Sequence, residues 1–211
     1  DEAAENVTIY KSAFIDNAAL GGGGAIYWAG EYGLITGDAD ADLGITLMIN
    51  NNATIGGSLF ILGDYTRIEN AGFSGNASDR GGALYVSGDG VTVSNAAFAR
   101  SNATNGGAIF WEGDDGFIIK AAFIENTASD AGGAILAQCN DLTIADSGFF
   151  ENNAEYAGAI AWAATGGIYN TTFTNNIATE VGGAIFAIKD IEITDSNFTE
   201  NVAPQANAIM I

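Results

Sequence analysis

Short apolar stretches alternate with short polar stretches along the whole chain. Residues 7–14 alternate apolar and polar side chains as a half-buried strand does, and residues 25–28 form another apolar stretch after a polar turn. One phrase combines both stretches: F-x-x-N, followed after a short polar gap by G-G-A-I, as in Phe123 to Ile135. The segments between turns are too short for helices, so the pattern predicts strands separated by tight turns.

The phrase recurs in eight copies. Its second glycine lies at Gly24, Gly57, Gly82, Gly107, Gly133, Gly158 and Gly183, with Asn207 in the last copy. A constant period of about 25 residues is typical of a solenoid in which each copy is one coil. We therefore predict an all-β fold, a parallel β-helix of about eight coils. The first interval is longer by about eight residues, which predicts one loop insertion near residues 30–46, with residues 36–44 as the loop that leaves the coil.

Stacked coils would place equivalent residues in columns about 4.8 Å apart. One column would fill the interior: Phe14, Ile49, Phe73, Phe98, Phe123, Phe149, Phe173 and Phe198. A second interior column would be Ile26, Leu59, Leu84, Ile109, Ile135, Ile160, Ile185 and Ile209. A third column would form a side-chain amide ladder at a bend: Asn17, Asn52, Asn76, Asn126, Asn152, Asn176 and Asn201. We interpret this asparagine column as structural rather than as a ligand site.

Strand alternation directs the residue after each inward Ile or Leu to the outside. These residues form a predicted apolar stripe: Tyr27, Phe60, Tyr85, Phe110, Leu136, Phe186 and Met210. A contiguous apolar surface is typical of an interaction site, here for a protein partner, a glycan or a sister copy. Two alternatives stay open: the insertion covers the stripe, or inside and outside are reversed, because both alternate sets are apolar.

The charge balance excludes several classes of partner. The net charge is -20, from 26 acidic and 6 basic residues, and nucleic-acid binding needs clustered Lys and Arg. Anionic membrane surfaces are disfavoured for the same reason. No apolar run of about 18 residues is present, so we expect no membrane insertion in this segment. With one cysteine, Cys139, and no histidine, an intramolecular disulfide and a zinc site of the Cys/His type are excluded.

Two groups of aspartates are candidates for cation binding. Asp38, Asp40 and Asp42 alternate like the start of a calcium loop, although Leu43 and Ile49 occupy the places of its glycine and glutamate. A solvated acidic loop is the alternative. A further column follows each G-G-A-I strand, and we interpret it as ordinary turn residues rather than a cation site: Asp64, Asp89, Asp115, Asp141 and Asp190.

Six N-x-S/T sequons are present, and three of them lie on the strand before the phenylalanine. Asn6, Asn170 and Asn197 are therefore the predicted acceptors if the chain is glycosylated. Asn52 and Asn76 belong to the predicted ladder and are expected to be poor acceptors. Such matches also arise by chance in a chain rich in Asn and Thr.

The paired motifs resemble the polymorphic outer-membrane protein repeats of chlamydiae. They are also similar to adhesin-like surface proteins of methanogenic archaea, through the segments Gly23–Trp28 and Gly106–Trp111. The resemblance covers roughly residues 7–211. It implies a right-handed parallel β-helix that is exported and displayed on the cell surface, where it serves adhesion or architecture. It implies no catalytic residues.

Two functions follow as hypotheses. The first is a non-enzymatic extracellular or cell-surface protein, structural or adhesin-like, formed by one domain over residues 1–211 that is part of a longer chain or a polymer. Copies would then assemble into filaments by end-to-end stacking of coils. The alternative is a polysaccharide lyase or hydrolase, which needs paired carboxylates, or calcium with a basic residue. Asp114 and Asp115 would project to opposite sides of a strand, and the six basic residues form no evident cluster.

Overall fold

Each repeat folds into one coil of a parallel β-solenoid. The computed structural model describes residues 5–40 and 44–211, and every regular element within these ranges is a strand. Strands pair in parallel with their equivalents one coil before and one coil after. The prediction of an all-β parallel solenoid with about eight coils is confirmed.

The strands divide among the coils as follows. The first coil has β1 (Thr8–Tyr10), β2 (Ala13–Ile15) and β3 (Ile26–Trp28); the second has β4 (Leu34–Thr36), β5 (Thr46–Ile49) and β6 (Leu59–Ile61). The third has β7 (Arg67–Ser74) and β8 (Leu84–Val86); the fourth has β9 (Thr92–Ala99), β10 (Asn102–Asn105) and β11 (Ile109–Trp111). The fifth has β12 (Phe117–Ile119), β13 (Ala122–Ile124), β14 (Thr127–Ala131) and β15 (Ile135–Ala137). The sixth has β16 (Leu142–Ala145), β17 (Gly148–Phe150), β18 (Asn153–Tyr156) and β19 (Ile160–Trp162). The seventh has β20 (Gly166–Tyr169), β21 (Thr172–Thr174), β22 (Ile177–Val181) and β23 (Ile185–Ala187); the eighth has β24 (Glu192–Thr194), β25 (Asn197–Thr199) and β26 (Ile209–Met210).

Three sheets result from this stacking. The first sheet has 14 strands and collects the strands that begin each coil, because β7 and β9 run through the bend without a break. The second sheet has four strands, β10, β14, β18 and β22. The third sheet has eight strands and collects the last strand of every coil. The first and third sheets contribute buried side chains to one continuous core.

Phenylalanine rings stack through the core as predicted. From Phe73 to Phe198, neighbouring ring centroids lie 4.6–5.0 Å apart and the ring planes differ by 1–8°. In the second coil the prediction is wrong by one residue. Met48, not Ile49, pairs with Phe14 and Phe73 and is fully buried. A shift of one residue exchanges the two faces of a strand, so Ile49 lies on the outer face.

The same shift moves the asparagine ladder in the second coil from Asn52 to Asn51. A ladder residue with an asparagine in the next coil contacts both neighbouring coils: Asn126 donates from Nδ2 to the Phe98 carbonyl and to Asn152 Oδ1, each at 3.0 Å. The members are Asn17, Asn51, Asn76, Asn126, Asn152, Asn176 and Asn201. Ser101 takes this place in the fourth coil, and its buried Oγ has no hydrogen-bond partner among the described residues.

A tight corner precedes the third sheet, and the first glycine of each Gly-Gly pair forms it. At Gly132 the backbone has φ 69°, a left-handed conformation that favours glycine. A Cβ there would lie 2.1 Å from the Ile135 carbonyl oxygen. The sixth coil departs from this rule, since Ala157 adopts φ 59° at the equivalent position. The predicted role of the Gly-Gly pairs in turning the chain is confirmed.

The insertion is shorter than the predicted span of 30–46. Residues 34–36 form β4 within the first sheet, in register with β1 and β7. The extra residues are 37–45, which replace the single residue Asn70 of the next coil. Gly37 accepts a hydrogen bond from Asn70 Nδ2 at 3.1 Å, and Asp38 accepts one from the Tyr10 hydroxyl. These contacts of the insertion therefore lie at the bend of the first sheet. The stripe lies on the third sheet.

Candidate functional site

The predicted apolar stripe lies on the outer face of the third sheet. Its members are in register from coil to coil, with Ala161 in the sixth coil: Tyr27, Phe60, Tyr85, Phe110, Leu136, Phe186 and Met210. The adjacent Ile and Leu column belongs to the core, whereas the stripe residues from Phe60 to Phe186 form a second cluster outside it. The sheet faces are thus oriented as the alternation predicts, not reversed.

The centre of the stripe is covered by its own neighbours. Tyr85, Phe110 and Leu136 are only 7%, 4% and 7% exposed, whereas Tyr27 is 56% exposed. The rings pack on one another, with Tyr85 and Phe110 stacked at 5.3 Å, and the Arg80 guanidinium lies 5.6 Å from the centre of the Phe110 ring. The stripe is therefore not a uniformly exposed surface.

Polar side chains complete this cover. The Tyr85 hydroxyl donates a hydrogen bond to Glu112. Burial of the phenol, and next the bond to Glu112, raise the pKa of Tyr85 to about 12. Tyr85 consequently stays protonated at physiological pH and acts as a fixed donor.

An opening occurs where Ala161 replaces the large side chain of the other coils. Between Leu136 and Phe186 the small methyl group leaves a cavity of about 310 Å³. The side chains around it are mostly apolar, and Ile188 at its border is 68% exposed. The lining residues are Ala131, Leu136, Gln138, Tyr156, Ala161, Trp162, Ala163, Phe186 and Ile188. We refer to this feature as the Ala161 cavity.

One border of the Ala161 cavity is acidic. The cavity residue Tyr156 pairs with Ala131 of the coil before and with Val181 of the coil after, and each of these three residues follows an exposed carboxylate. These carboxylates, Asp130, Glu155 and Glu180, form what we call the acidic ridge. A hydrogen bond with Glu155, followed by the negative charges of Glu155, Glu180 and Asp130, raises the pKa of Tyr156. The ridge thus acts electrostatically on a side chain that lines the cavity.

Comparison with known proteins identifies the repeat. The profile of the Chlamydia polymorphic membrane protein repeat matches residues 11–27, 120–138 and 170–188. Each matched segment contains a ladder asparagine and a Gly-Gly corner. These three segments of the chain carry a polymorphic membrane protein-type repeat. No curated protein and no solved structure matches the chain.

This family is one of outer-membrane surface proteins, so the repeats agree with the expected surface location at that level. Two of the matched segments reach the Ala161 cavity, through Leu136 in one and Phe186 in the other. Ala161 and Tyr156 lie between these segments. Over residues 5–40 and 44–211, no helix has the length and apolar character to cross a membrane.

Trp162 shows how the coils of this chain vary in their turns. Trp28 and Trp111 each donate from Nε1 to the carbonyl two residues later, at 2.8 Å. Trp162 is buried in the equivalent position, but its Nε1 has no hydrogen-bond partner among the described residues. The connection from Trp162 to Gly167 is one residue shorter than that from Trp111 to Phe117, by the strand register. The shorter turn explains the lost carbonyl partner.

The calcium expectation for Asp38, Asp40 and Asp42 stays a prediction. Asp42 lies outside the described residues, and Asp38 forms an ion pair with Lys11. The hydrogen bond from Lys11, and next that from Tyr10, lower the pKa of Asp38. Within the described part of the chain, no group of three or more acidic, Cys or His side chains could hold a metal ion. Calcium titration of the purified protein would measure any binding by this loop.

The aspartate column after the third sheet differs from the predicted set. Asp89 donates its backbone N–H to Asp64 Oδ1, and Asp114 donates to Asp89 Oδ1, both at 2.8 Å. The column thus continues through Asp114 to Asn140, whereas Asp115 and Asp141 occupy the next, left-handed position of the turn. Hydrogen bonds from the Asn140 backbone N–H, and next from its side chain, lower the pKa of Asp114. A general acid needs a raised pKa, so this arrangement is the opposite of that requirement.

The three predicted glycosylation acceptors Asn6, Asn170 and Asn197 are all exposed. Asn170 Nδ2 donates to Asp146 Oδ1 at 2.7 Å, so this amide is already engaged. Asn76 is buried in the ladder as predicted. Asn52 is exposed, and its assignment to the ladder is wrong because Asn51 occupies that position.

Sequence reasoning misses the residues that open the cavity. The predicted stripe omits Ala161, because its side chain is small. Its position in the column is nevertheless a signal, since one small residue between large ones marks a gap. Ile188 follows Phe186 by two residues, so strand alternation places it on the same outer face. Tyr156 has no signal of its own, because its contact with the cavity depends on how the corner folds.

Proposed function

We propose that this chain is a non-enzymatic, adhesin-like segment of a surface protein, and that the Ala161 cavity is its partner-binding site. The polymorphic membrane protein-type repeats support surface display. Stacked coils form a rigid rod in which an outer face is held in a constant register, as a binding surface requires.

The observation that carries the proposal is the gap in the stripe. Elsewhere the stripe covers itself, but at Ala161 a cavity of about 310 Å³ opens beside the exposed Ile188. Concave apolar sites with a few polar groups are the usual places where proteins bind ligands or anchor side chains. Gln138 and Tyr156 are the polar side chains at its edge.

A substitution that fills the cavity tests this proposal. Ala161→Phe restores the ring present at Phe110 and Phe186 in the same column, so the fold is expected to tolerate it. Beads coated with the purified protein are tested for adhesion to a panel of cells, matrix proteins and glycans. We expect Ala161→Phe to lower adhesion about tenfold, because the anchor side chain of the partner loses its space.

The matched control is Thr143→Phe. Thr143 pairs with Phe117 on the outer face of the first sheet, so this variant adds the same ring beside an existing ring. We expect it to adhere as the unsubstituted protein does. Equal adhesion by Ala161→Phe and the unsubstituted protein would remove the cavity from the binding function.

End-to-end stacking of copies into a filament is a separate prediction. Two copies that each carry a net charge of -20 repel each other, so we expect association to increase when salt screens that charge. Sedimentation velocity at about 0.02 M and about 0.5 M salt measures it. A monomer at high concentration and high salt would contradict the filament role but leave the adhesin role intact.

The polysaccharide lyase or hydrolase alternative has no particular geometry in its favour. Among the basic residues, Lys11 pairs with Asp38, Arg67 pairs with Glu69 and Arg80 lies over Phe110. Incubation with pectin, alginate and related polymers is the direct test. New reducing or unsaturated ends would overturn the non-enzymatic proposal.

A further inference from the structure

The Ala161 cavity and the acidic ridge lie on adjacent strands of the same corner. The cavity has an apolar floor, formed by Leu136, Ala161 and Phe186. Its border on the second-sheet side holds Tyr156 beside the ridge carboxylates, which are exposed in three successive coils. On the opposite border, Ile188 is followed by one basic residue, Lys189. The site therefore combines an open apolar cavity with a negatively charged wall.

Charge decides between the occupants that such a site could take. A second copy of the chain would bring a net charge of -20 against the ridge, which is unfavourable. A neutral glycan needs several hydrogen-bonding groups, whereas Gln138 and Tyr156 are the polar side chains that line the cavity. A cationic ligand with an apolar anchor satisfies both the wall and the floor.

We propose that the Ala161 cavity binds a basic protein segment, with a bulky apolar side chain in the space above Ala161 and Lys or Arg side chains at the acidic ridge. This inference rests on the proposed adhesin-like function and names the partner's chemistry. The apolar anchor supplies most of the affinity, since it is fully desolvated in the cavity. The exposed ridge mainly attracts and orients the segment, so its contribution weakens with salt.

Three peptides, acetylated and amidated at their ends, test the two halves of the proposal. Lys-Lys-Phe-Lys-Lys carries both features, Lys-Lys-Ser-Lys-Lys lacks the anchor, and Glu-Glu-Phe-Glu-Glu reverses the charge. Binding to the full chain is followed by NMR through the methyl resonances of Leu136, Ala161 and Ile188. We expect the first peptide to bind about tenfold more tightly than the Ser peptide, because one buried aromatic side chain accounts for such a ratio. We also expect it to bind more tightly than the Glu peptide, because the acidic ridge repels the carboxylates of that peptide.

Two variants locate the binding. Ala161→Phe is expected to weaken Lys-Lys-Phe-Lys-Lys about tenfold and to leave the weak Ser peptide unchanged. The double variant Glu155→Gln with Glu180→Gln is expected to weaken the Phe peptide severalfold at about 50 mM salt and to have little effect at about 500 mM. Glu125→Gln with Glu151→Gln is the matched control, because it removes the same charge from exposed positions of adjacent coils at a bend of the first sheet.

Several outcomes would overturn the inference. Equal binding of the Phe and Ser peptides, unaffected by Ala161→Phe, would mean only general attraction to an acidic chain. Binding of cellohexaose that Ala161→Phe abolishes would assign the cavity to a neutral glycan, and self-association lost in that variant would assign it to a second copy. If Ala161→Phe abolishes adhesion but the peptides show no preference, the binding function stands and the basic segment is wrong. If the peptides bind at the cavity but Ala161→Phe leaves adhesion unchanged, the basic segment stands and the adhesion function of the cavity is wrong.

Discussion

At the scale of single residues, the bend after the phenylalanine strand depends on one side-chain amide in every coil except the fourth. The Asn126 amide nitrogen donates to the carbonyl of Phe98 in the coil before and to Asn152 in the coil after, and Asn126 Oδ1 accepts the N–H of Ser101. Buried backbone groups at a bend have few other partners, and each unpaired one is costly. The ladder thus replaces sheet hydrogen bonds where the strand must turn.

Ser101→Asn is expected to stabilise the protein by about 1 kcal/mol. The new amide can donate to Asn126 Oδ1 and to the carbonyl of Phe73, as its equivalents do in other coils. It also supplies an acceptor for the Asn76 N–H. Urea denaturation followed by circular dichroism measures the change. Ser101→Ala, which removes a hydroxyl without a partner among the described residues, serves as the control and should be nearly neutral.

Acid is expected to remove the contribution of Asp114 to stability. Its folded-state pKa is lowered, chiefly by the Asn140 backbone N–H, so its ionised form favours the folded state above the unfolded pKa of about 4. The contribution is lost as pH falls through the lower folded-state value. The difference in unfolding free energy between the unsubstituted protein and Asp114→Asn should therefore shrink from about pH 6 to about pH 2.5. A difference that is constant over this range would contradict the assignment.

At the scale of elements, the length of each turn decides which side chains find partners. The turn that follows β11 lets Trp111 donate to the Gly113 carbonyl, but the turn that follows β19 is one residue shorter. The strands themselves keep their register on both sides, because the stacked sheets hold them. Variation in the repeat is therefore taken up by the turns.

The two tryptophans should respond differently to the same substitution. Trp111→Phe removes an indole donor and leaves the buried Gly113 carbonyl unpaired, whereas Trp162→Phe removes a donor without a partner among the described residues. Both lose similar packing volume, so the comparison isolates the hydrogen bond. We expect Trp111→Phe to cost about 1–2 kcal/mol more than Trp162→Phe in chemical denaturation. Equal costs would show that the Trp111 bond contributes nothing net.

At the scale of the whole molecule, the fold is a one-dimensional stack with a charged exterior. Each coil contacts its neighbours through the parallel pairing of its strands, and most coils add a stacked phenylalanine ring and a ladder amide, so stability is close to a sum of coil and interface terms. The Ala161 cavity needs only the fifth, sixth and seventh coils. The number of coils can therefore change without changing the Ala161 cavity.

Removal of residues 83–107, one period of 25 residues that joins Gly82 to Ala108, should leave a folded solenoid. The columns stay in register, because Leu84 and Ile109 are equivalent. We expect lower thermal stability, an unchanged strand spectrum and unchanged peptide binding at the Ala161 cavity. Removal of residues 83–94, about half a period, should abolish folding, since it joins Gly82 to Asn95 and places residues of the first sheet where a strand of the third sheet must follow. Loss of folding in the in-register deletion would contradict the stacking account.

Prediction from sequence succeeds where the period repeats without change and fails where it does not. The columns of Phe and Ile from the third coil onward are as predicted, because each residue there has the same environment as its equivalent one coil away. In the second coil the insertion hides the alignment, so the pattern favours Ile49 and Asn52 in place of Met48 and Asn51. Because the second coil has Met48 in place of phenylalanine, no aromatic residue marks the correct alignment.

The sequence by itself determined the period and the acidic exterior, and the resemblance carried by its motifs indicated a surface protein. These follow from local patterns that every coil repeats. Only the tertiary structure decided that the stripe buries its own centre and opens at Ala161 beside the acidic ridge. The burial of the centre depends on how the aromatic rings of one coil lie across the corner of the coil before it. The opening depends on Ala161, because its neighbours in the column, Leu136 and Phe186, are both large.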